Sequence, residues 1–104
     1  MTGQAEMRFR IAGRMVLRRI GEDRLLVPIA GDLARANAVF PLNETGAVIW
    51  ECLSAGQALG DAAREVSRRF TVDGDTAMAD CVEFVKRLEA NGLIEAAVAG
   101  TDDE

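Results

Sequence analysis

Leu42-Asn43-Glu44-Thr45-Gly46-Ala47-Val48-Ile49-Trp50-Glu51-Cys52-Leu53 joins the end of a strand, a helix cap and the chain's one tryptophan. Asn43 is the predicted N-cap, because its side-chain oxygen can accept from the free amides of a first helical turn. Glu44 follows with negative charge where the helix dipole favours it. Ile49 and Leu53 then recur at helical spacing with Trp50 beside them, which predicts a helix from about Glu44 to Leu53, stopped at Ser54-Ala55-Gly56. Trp50 is read as core, with the edge of a partner-facing surface as the alternative.

Upstream of that stretch, Arg14-Met15-Val16-Leu17-Arg18-Arg19-Ile20 and Arg24-Leu25-Leu26-Val27-Pro28-Ile29 flank Gly21-Glu22-Asp23, the pattern of a β-hairpin. Gly31-Asp32 marks a second turn, and Ala36 to Leu42 is predicted as a third strand. Downstream, Leu59, Ala62, Ala63, Val66 and Phe70 form the buried stripe of a second helix, Leu59 to Arg69. On its outer side the like-charge spacings Asp61 to Glu65 and Arg64 to Arg68 promise little stability. Asp73 or Asp75 can cap a third helix that runs to about Ala90, where Asn91-Gly92 ends it and Leu93-Ile94 follows as an apolar anchor. The expected fold is α+β and winged helix-turn-helix-like, an N-terminal three-stranded antiparallel sheet followed by three helices. Residues 1–13 are expected to be a flexible N-terminal segment, 14–96 the folded domain, and 97–104 a flexible acidic tail.

With 104 residues, 49% hydrophobic and 28% charged, the chain has the composition of one ordinary globular domain. No apolar run approaches the roughly 20 residues that cross a bilayer, and Met1 to Arg14 lacks the apolar core of a secretion signal. The expected location is the cytoplasm, away from membranes. Cys52 and Cys81 fall within helical apolar patterns and not in a Cys-x-x-Cys pair, so they are read as buried, reduced thiols. With no histidine, no metal site is expected. Residues 1–50 carry a net charge of +2 and residues 51–104 a net −7. The acidic half argues against nucleic acid as a partner.

The capped segment Leu42 to Leu53, read with Val66 and Phe70 and with Asp80, Cys81, Phe84, Val85, Leu88, Gly92, Leu93 and Ile94, resembles the family of coenzyme PQQ synthesis protein D (PqqD), also called RiPP recognition elements. The resemblance runs from about Arg14 to Ile94. It contains no catalytic fingerprint. It implies a peptide chaperone that binds the leader of a ribosomally made precursor in a cleft between third strand and third helix, and presents it to a modifying enzyme, with a radical S-adenosylmethionine (radical SAM) enzyme as the expected class. The Leu-Asn-Glu-Thr-Gly form and the tryptophan are similar to the broad set of PqqD-like proteins. Ala58 stands where many relatives have a capping threonine, so the second helix starts less firmly.

The residues themselves permit that mechanism. On the third helix Ala77, Cys81, Phe84 and Leu88 cluster on one side, and Met78, Val82 and Val85 widen the apolar arc to about 160°, more than the roughly 100° one core needs. The third strand lies at the edge of a sheet ordered one, two, three, and between Leu33 and Leu42 the one charged residue is Arg35, although edges are usually blunted with charge. Pro41 blunts its end alone. A bare edge beside an apolar helical flank suits β-augmentation. The resemblance then implies Ala36, Asn37, Ala38, Val39 and Phe40 as the strand surface, Met78, Val82, Val85 and Glu89 opposite, and Lys86 at the rim. Asp80, which matches an acidic position of the family's third helix, falls on the polar side and is read as a structural ion pair.

Three other readings compete. A DNA-binding winged helix would put Asp73, Asp75 and Asp80 against phosphates, which costs affinity. An enzyme lacks means: there is no histidine or tyrosine, no base beside Ser54 or Ser67, and no glycine-rich phosphate loop after a strand. No cofactor is expected. A scaffold domain is the remaining alternative, since the same edge could pair with its twin in a homodimer.

Overall fold

A computed structural model of the chain describes residues 4–35 and 39–97. A 3-10 turn, Gln4–Glu6, leads into strand β1 (Arg8–Ile11), then β2 (Arg14–Ile20) and β3 (Asp23–Ala30), one helical turn α1 (Asp32–Arg35), β4 (Phe40–Leu42), three helices α2 (Glu44–Ser54), α3 (Leu59–Phe70) and α4 (Gly74–Ala90), and a last strand β5 (Ile94–Ala97). The fold is α+β, with a three-stranded antiparallel sheet ordered β2-β3-β4 and a two-stranded sheet of β1 and β5. The hairpin turns at Gly21, whose φ of +62° occupies the first position of a two-residue turn, where a II′ geometry needs a positive φ. Its register pairs Ile20 with Asp23 and Val16 with Val27.

The helices begin and end as local chemistry dictates. The Asn43 side chain accepts from the Gly46 amide at 2.7 Å, and the Asp73 side chain accepts from Thr76 at 2.7 Å, so each caps its helix. At α4's other end Gly92, at φ +77°, turns the chain so that the Leu93 amide reaches the Leu88 carbonyl at 2.9 Å. Ala58 gives α3 no side-chain cap. The start is held instead by the Asp61 carboxylate, which accepts from the Ala58 amide at 3.2 Å, and by the Met7 carbonyl, which accepts from the Leu59 amide at 2.8 Å. On α3's outer face opposite charges meet: Arg64 pairs with Asp61, and Glu65 holds both Arg68 and Arg69. The like-charge expectation overlooked the opposite charges three apart, Asp61 with Arg64 and Glu65 with Arg68, and four apart, Glu65 with Arg69.

One core joins all of this. Leu26, Ile49, Leu53, Leu59, Val66, Cys81 and Leu93 are fully enclosed, and Trp50 is buried among them. The core lies between the helices and one face of the three-stranded sheet, with Met15, Leu17, Phe40 and Leu42 packed against it from the strands.

Three expected bounds need correction. Within residues 1–13, expected to be flexible, Arg8–Ile11 form β1 and pair with β5 from Arg8↔Ala97 to Ile11↔Ile94. The cause is an alternation of Met7, Phe9 and Ile11 that faces the core, with Phe9 only 6% exposed. Ala97, expected to open the tail, is the last residue of β5, and 98–104 lie outside the described residues. Of the third strand, expected over Ala36 to Leu42, Phe40–Leu42 is strand and Val39 is not. Gly31, at φ +93°, takes the chain out of β3, and the Arg35 amide then reaches the Gly31 carbonyl to close α1. Ala36, Asn37 and Ala38 lie outside the described residues.

If β1 is part of the fold, Phe9→Ala lowers stability by about 3 kcal/mol, read as a shift of the urea midpoint. A flexible N-terminal segment would leave the midpoint where it was.

Candidate functional site

The order β2-β3-β4 leaves β4 as a sheet edge, as expected from the sequence. It is a short edge with Pro41 at its centre, and Pro41 has no N–H to donate. The chain passes directly from Leu42 through the Asn43 cap into α2. There Gly46 lies against Phe84 of α4 so closely that a Cβ built on it would stand 2.9 Å from the ring. That contact brings the first turn of α2, and with it the end of β4, to one flank of α4. Asn43, Thr45, Gly46, Ile49, Asp80, Glu83, Phe84 and Arg87 surround a hollow of about 170 Å³ at this junction.

The predicted site residues are distributed around it. Val39 is 46% exposed just before β4, and Phe40 is half-buried with its side chain against the core. Met78 and Val82 are half-buried and also touch the core, and with Asp75, Ala79, Glu83 and Lys86 they line a shallow depression of about 460 Å³ made wholly of α4 residues. Glu83 belongs to both hollows and forms the ridge between them. Val85 is buried within the core and offers little surface, which accounts for much of the wide apolar arc. Lys86 and Glu89 are exposed. The structure therefore gathers Met78, Val82 and Lys86, and places Asp80, Glu83 and Arg87 nearer the strand end. Asp80 makes no ion pair among the described residues and faces the junction hollow. The sequence signal for this flank was Gly46 in the capped segment, since a glycine in a first helical turn marks a close approach.

Both thiols are free. Burial pushes the Cys81 thiol up to about 11 with a smaller push from Asp80, and burial raises Cys52 as well. Thiols so placed stay protonated at neutral pH and are poor nucleophiles. The Arg68 and Arg69 guanidiniums hold Glu65 below the usual carboxylate range, and the Thr76 amide does the same for Asp73. Among the described residues no group of three His, Cys, Asp or Glu is placed to hold a metal, and no helix is long and apolar enough to cross a membrane.

Comparison with known proteins bears on this geometry. The family model for coenzyme PQQ synthesis protein D (PqqD) matches residues 25–94. No curated protein sequence matches the chain. Among solved structures, TbiB1 in complex with the TbiA(beta) leader peptide superposes with a TM-score of 0.68 at 22% identity, over 89% of this chain and 99% of that one. A lasso peptide synthetase B1 complexed with the leader peptide gives 0.70 at 23% identity, over 84% of this chain and 96% of that one. At these identities the likeness is one of fold.

Two outcomes test the packing around the junction. Gly46→Ala forces a methyl against Phe84 and lowers stability by about 1–3 kcal/mol, measured by chemical denaturation; no change would mean that α2 and α4 are not in contact there. Because the Cys81 thiol is raised in the folded state, its contribution is full below the ordinary value of 9.0 and is lost as pH climbs toward about 11. The thermal midpoint should fall across that window, and fall less in Cys81→Ala.

Proposed function

The chain belongs to the PqqD family, and on that premise we propose that it is a leader-peptide chaperone: it binds the leader of a ribosomally made precursor and presents it to a modifying enzyme. The observation that carries this reading is the free edge of β4 set against the α2–α4 junction, in a fold that TbiB1 and a lasso peptide synthetase B1 share while holding leader peptides. An extended segment of the leader adds to β4, with Val39 and Phe40 and, by extension along the chain, Ala36, Asn37 and Ala38 as the strand surface. Its side chains lie toward α4. Polar ones meet Asp80 and Arg87 in the hollow, and apolar ones cross the Glu83 ridge to Met78 and Val82, where Lys86 and Glu89 form the rim. Because β4 is three residues long and its central proline lacks a donor, few main-chain bonds are available. Side-chain anchors then carry more of the affinity than strand pairing does.

The role is one of binding and delivery, without a catalytic group or cofactor of the chain's own, and its place is the cytoplasm where precursors are made. The partner is a peptide-modifying enzyme: a radical SAM enzyme is the class that membership of the PqqD family favours, and a lasso peptide synthetase the one that the structural neighbours favour.

Calorimetric titration with the leader peptide encoded beside this chain tests the reading. Wild type should bind, and Val82→Glu, which puts a carboxylate on a half-exposed apolar position, should weaken binding by about tenfold. Unchanged affinity in a folded variant removes Val82 from the site; no binding by wild type removes the function.

A further inference from the structure

The sheet β2-β3-β4 is apolar on both faces; the described residues enclose one of them and leave Val16, Leu25 and Val27 half-buried and Ile20 and Ile29 exposed away from it. Residues directly opposite across an antiparallel pair share a face. The pairs Leu17↔Leu26 and Leu26↔Phe40 lie on the core side, where Leu26 is fully buried. The other face carries Leu25 and Val27 from β3 and Val16, Arg18 and Ile20 from β2, and the exposed Ile29 stands at the bulge that follows, without a strand partner. Among the described residues none of these apolar side chains belongs to the core or packs against it. Ile20 and Ile29 are 58% and 53% exposed, the highest values of any large apolar side chain described. α1 lies against β3 but is a single turn.

An antiparallel sheet with one wet face alternates apolar and polar residues, whereas an unbroken apolar run belongs to a strand covered on both sides. Leu25-Leu26-Val27-Pro28-Ile29-Ala30 is such a run. From Asp23 to Ile29 the bare face extends about 20 Å at 3.4 Å per residue. That is the scale of a functional surface patch and suits a small, reversible contact.

We propose that this bare face of the β2–β3–β4 sheet is the docking surface for the modifying enzyme, through an apolar patch on that enzyme bordered by carboxylates. The inference rests on the chaperone reading above and adds where the second partner sits. Charge chooses the occupant. The hairpin carries Arg14, Arg18, Arg19 and Arg24 against Glu22 and Asp23, in a chain whose net charge is −5. Arg19 and Arg24 face the helices, where Glu44 and Glu51 share a hollow with them. Arg18 stands on the bare face without an ion pair among the described residues. Two copies packed face to face would bring two hairpins of net positive charge together, so a second copy of this chain fits poorly, whereas an acidic rim on a different protein fits well. The surface uses the face of the sheet and leaves the β4 edge open, so leader and enzyme can be held together.

The full-length chain titrated with the modifying enzyme encoded beside it, and separately with the leader peptide, tests this. Ile20→Glu and Ile29→Glu are at exposed positions and should leave the thermal midpoint unchanged. Each should weaken enzyme binding by about tenfold or more while leader affinity stays within about twofold. Arg18→Glu should weaken enzyme binding and flatten its salt dependence. Undiminished enzyme binding by the folded isoleucine variants overturns the proposal, as does a wild type that binds the leader but not the enzyme. A self-dimer that Ile29→Glu dissolves, seen by sedimentation, also overturns it by showing that a second copy occupies the face. A wild type that binds the enzyme through these residues but ignores the leader supports the docking face and sinks the chaperone reading instead.

Discussion

The approach of Gly46 to Phe84 is the contact on which the rest of the arrangement depends. A side chain at residue 46 would meet the aromatic ring, so glycine there is what lets the first turn of α2 settle on α4. The Asn43 cap fixes that turn from the other side, since its oxygen is bonded to the Gly46 amide itself. One residue thus serves both the start of a helix and the seam between two helices. Because β4 ends one residue before the cap, the same seam sets where the sheet edge stands relative to α4. Strand edge, hollow and apolar depression are in turn consequences of a packing constraint within a few residues of each other.

Around this seam the chain separates its two halves. The acidic helices close the core from one side, and the N-terminal β1 straps them through β5 and through the Met7 carbonyl at the head of α3. The basic hairpin stands out on the other side with one face in the core and one that no core residue among the described ones covers. A protein that must hold a peptide and meet an enzyme at once needs two surfaces that do not compete. The edge of β4 and the outer face of the sheet meet that need, because strand addition uses backbone groups in the plane of the sheet and docking uses side chains perpendicular to it.

The three main helices were legible because each carries its own punctuation: Asn43 and Asp73 as caps, Gly92 as a stop, and apolar spacing in between. The hairpin was legible from Gly21 and the aliphatic runs beside it. What escaped was decided by tertiary contact. β1 alternates over only four residues, with Arg8 and Arg10 between its apolar positions, and it becomes a strand because β5 is there to pair with it. α1, at Asp32–Arg35, precedes the predicted third strand where a simple turn was expected, because Gly31 redirects the chain. For the candidate site, the helical wheel identified an apolar arc on α4 but could not say which border of it the strand approaches. Val85 went to the core, and the border beside the strand end is the polar one, at Asp80, Glu83 and Arg87. The bare face of the sheet was visible as the run Leu25 to Ala30, but a run of that kind reads as fully buried until the missing layer is seen.

The most direct measurement is a nitrogen-proton NMR titration of the full chain with the leader peptide encoded beside it. The account requires shifts concentrated in Val39 to Leu42, apart from Pro41, and on the α4 residues that border the two hollows, with residues of the β1–β5 sheet and the outer face of the hairpin unmoved. Shifts centred on the hairpin's outer face or on β1 and β5, or no shifts at all, would contradict it.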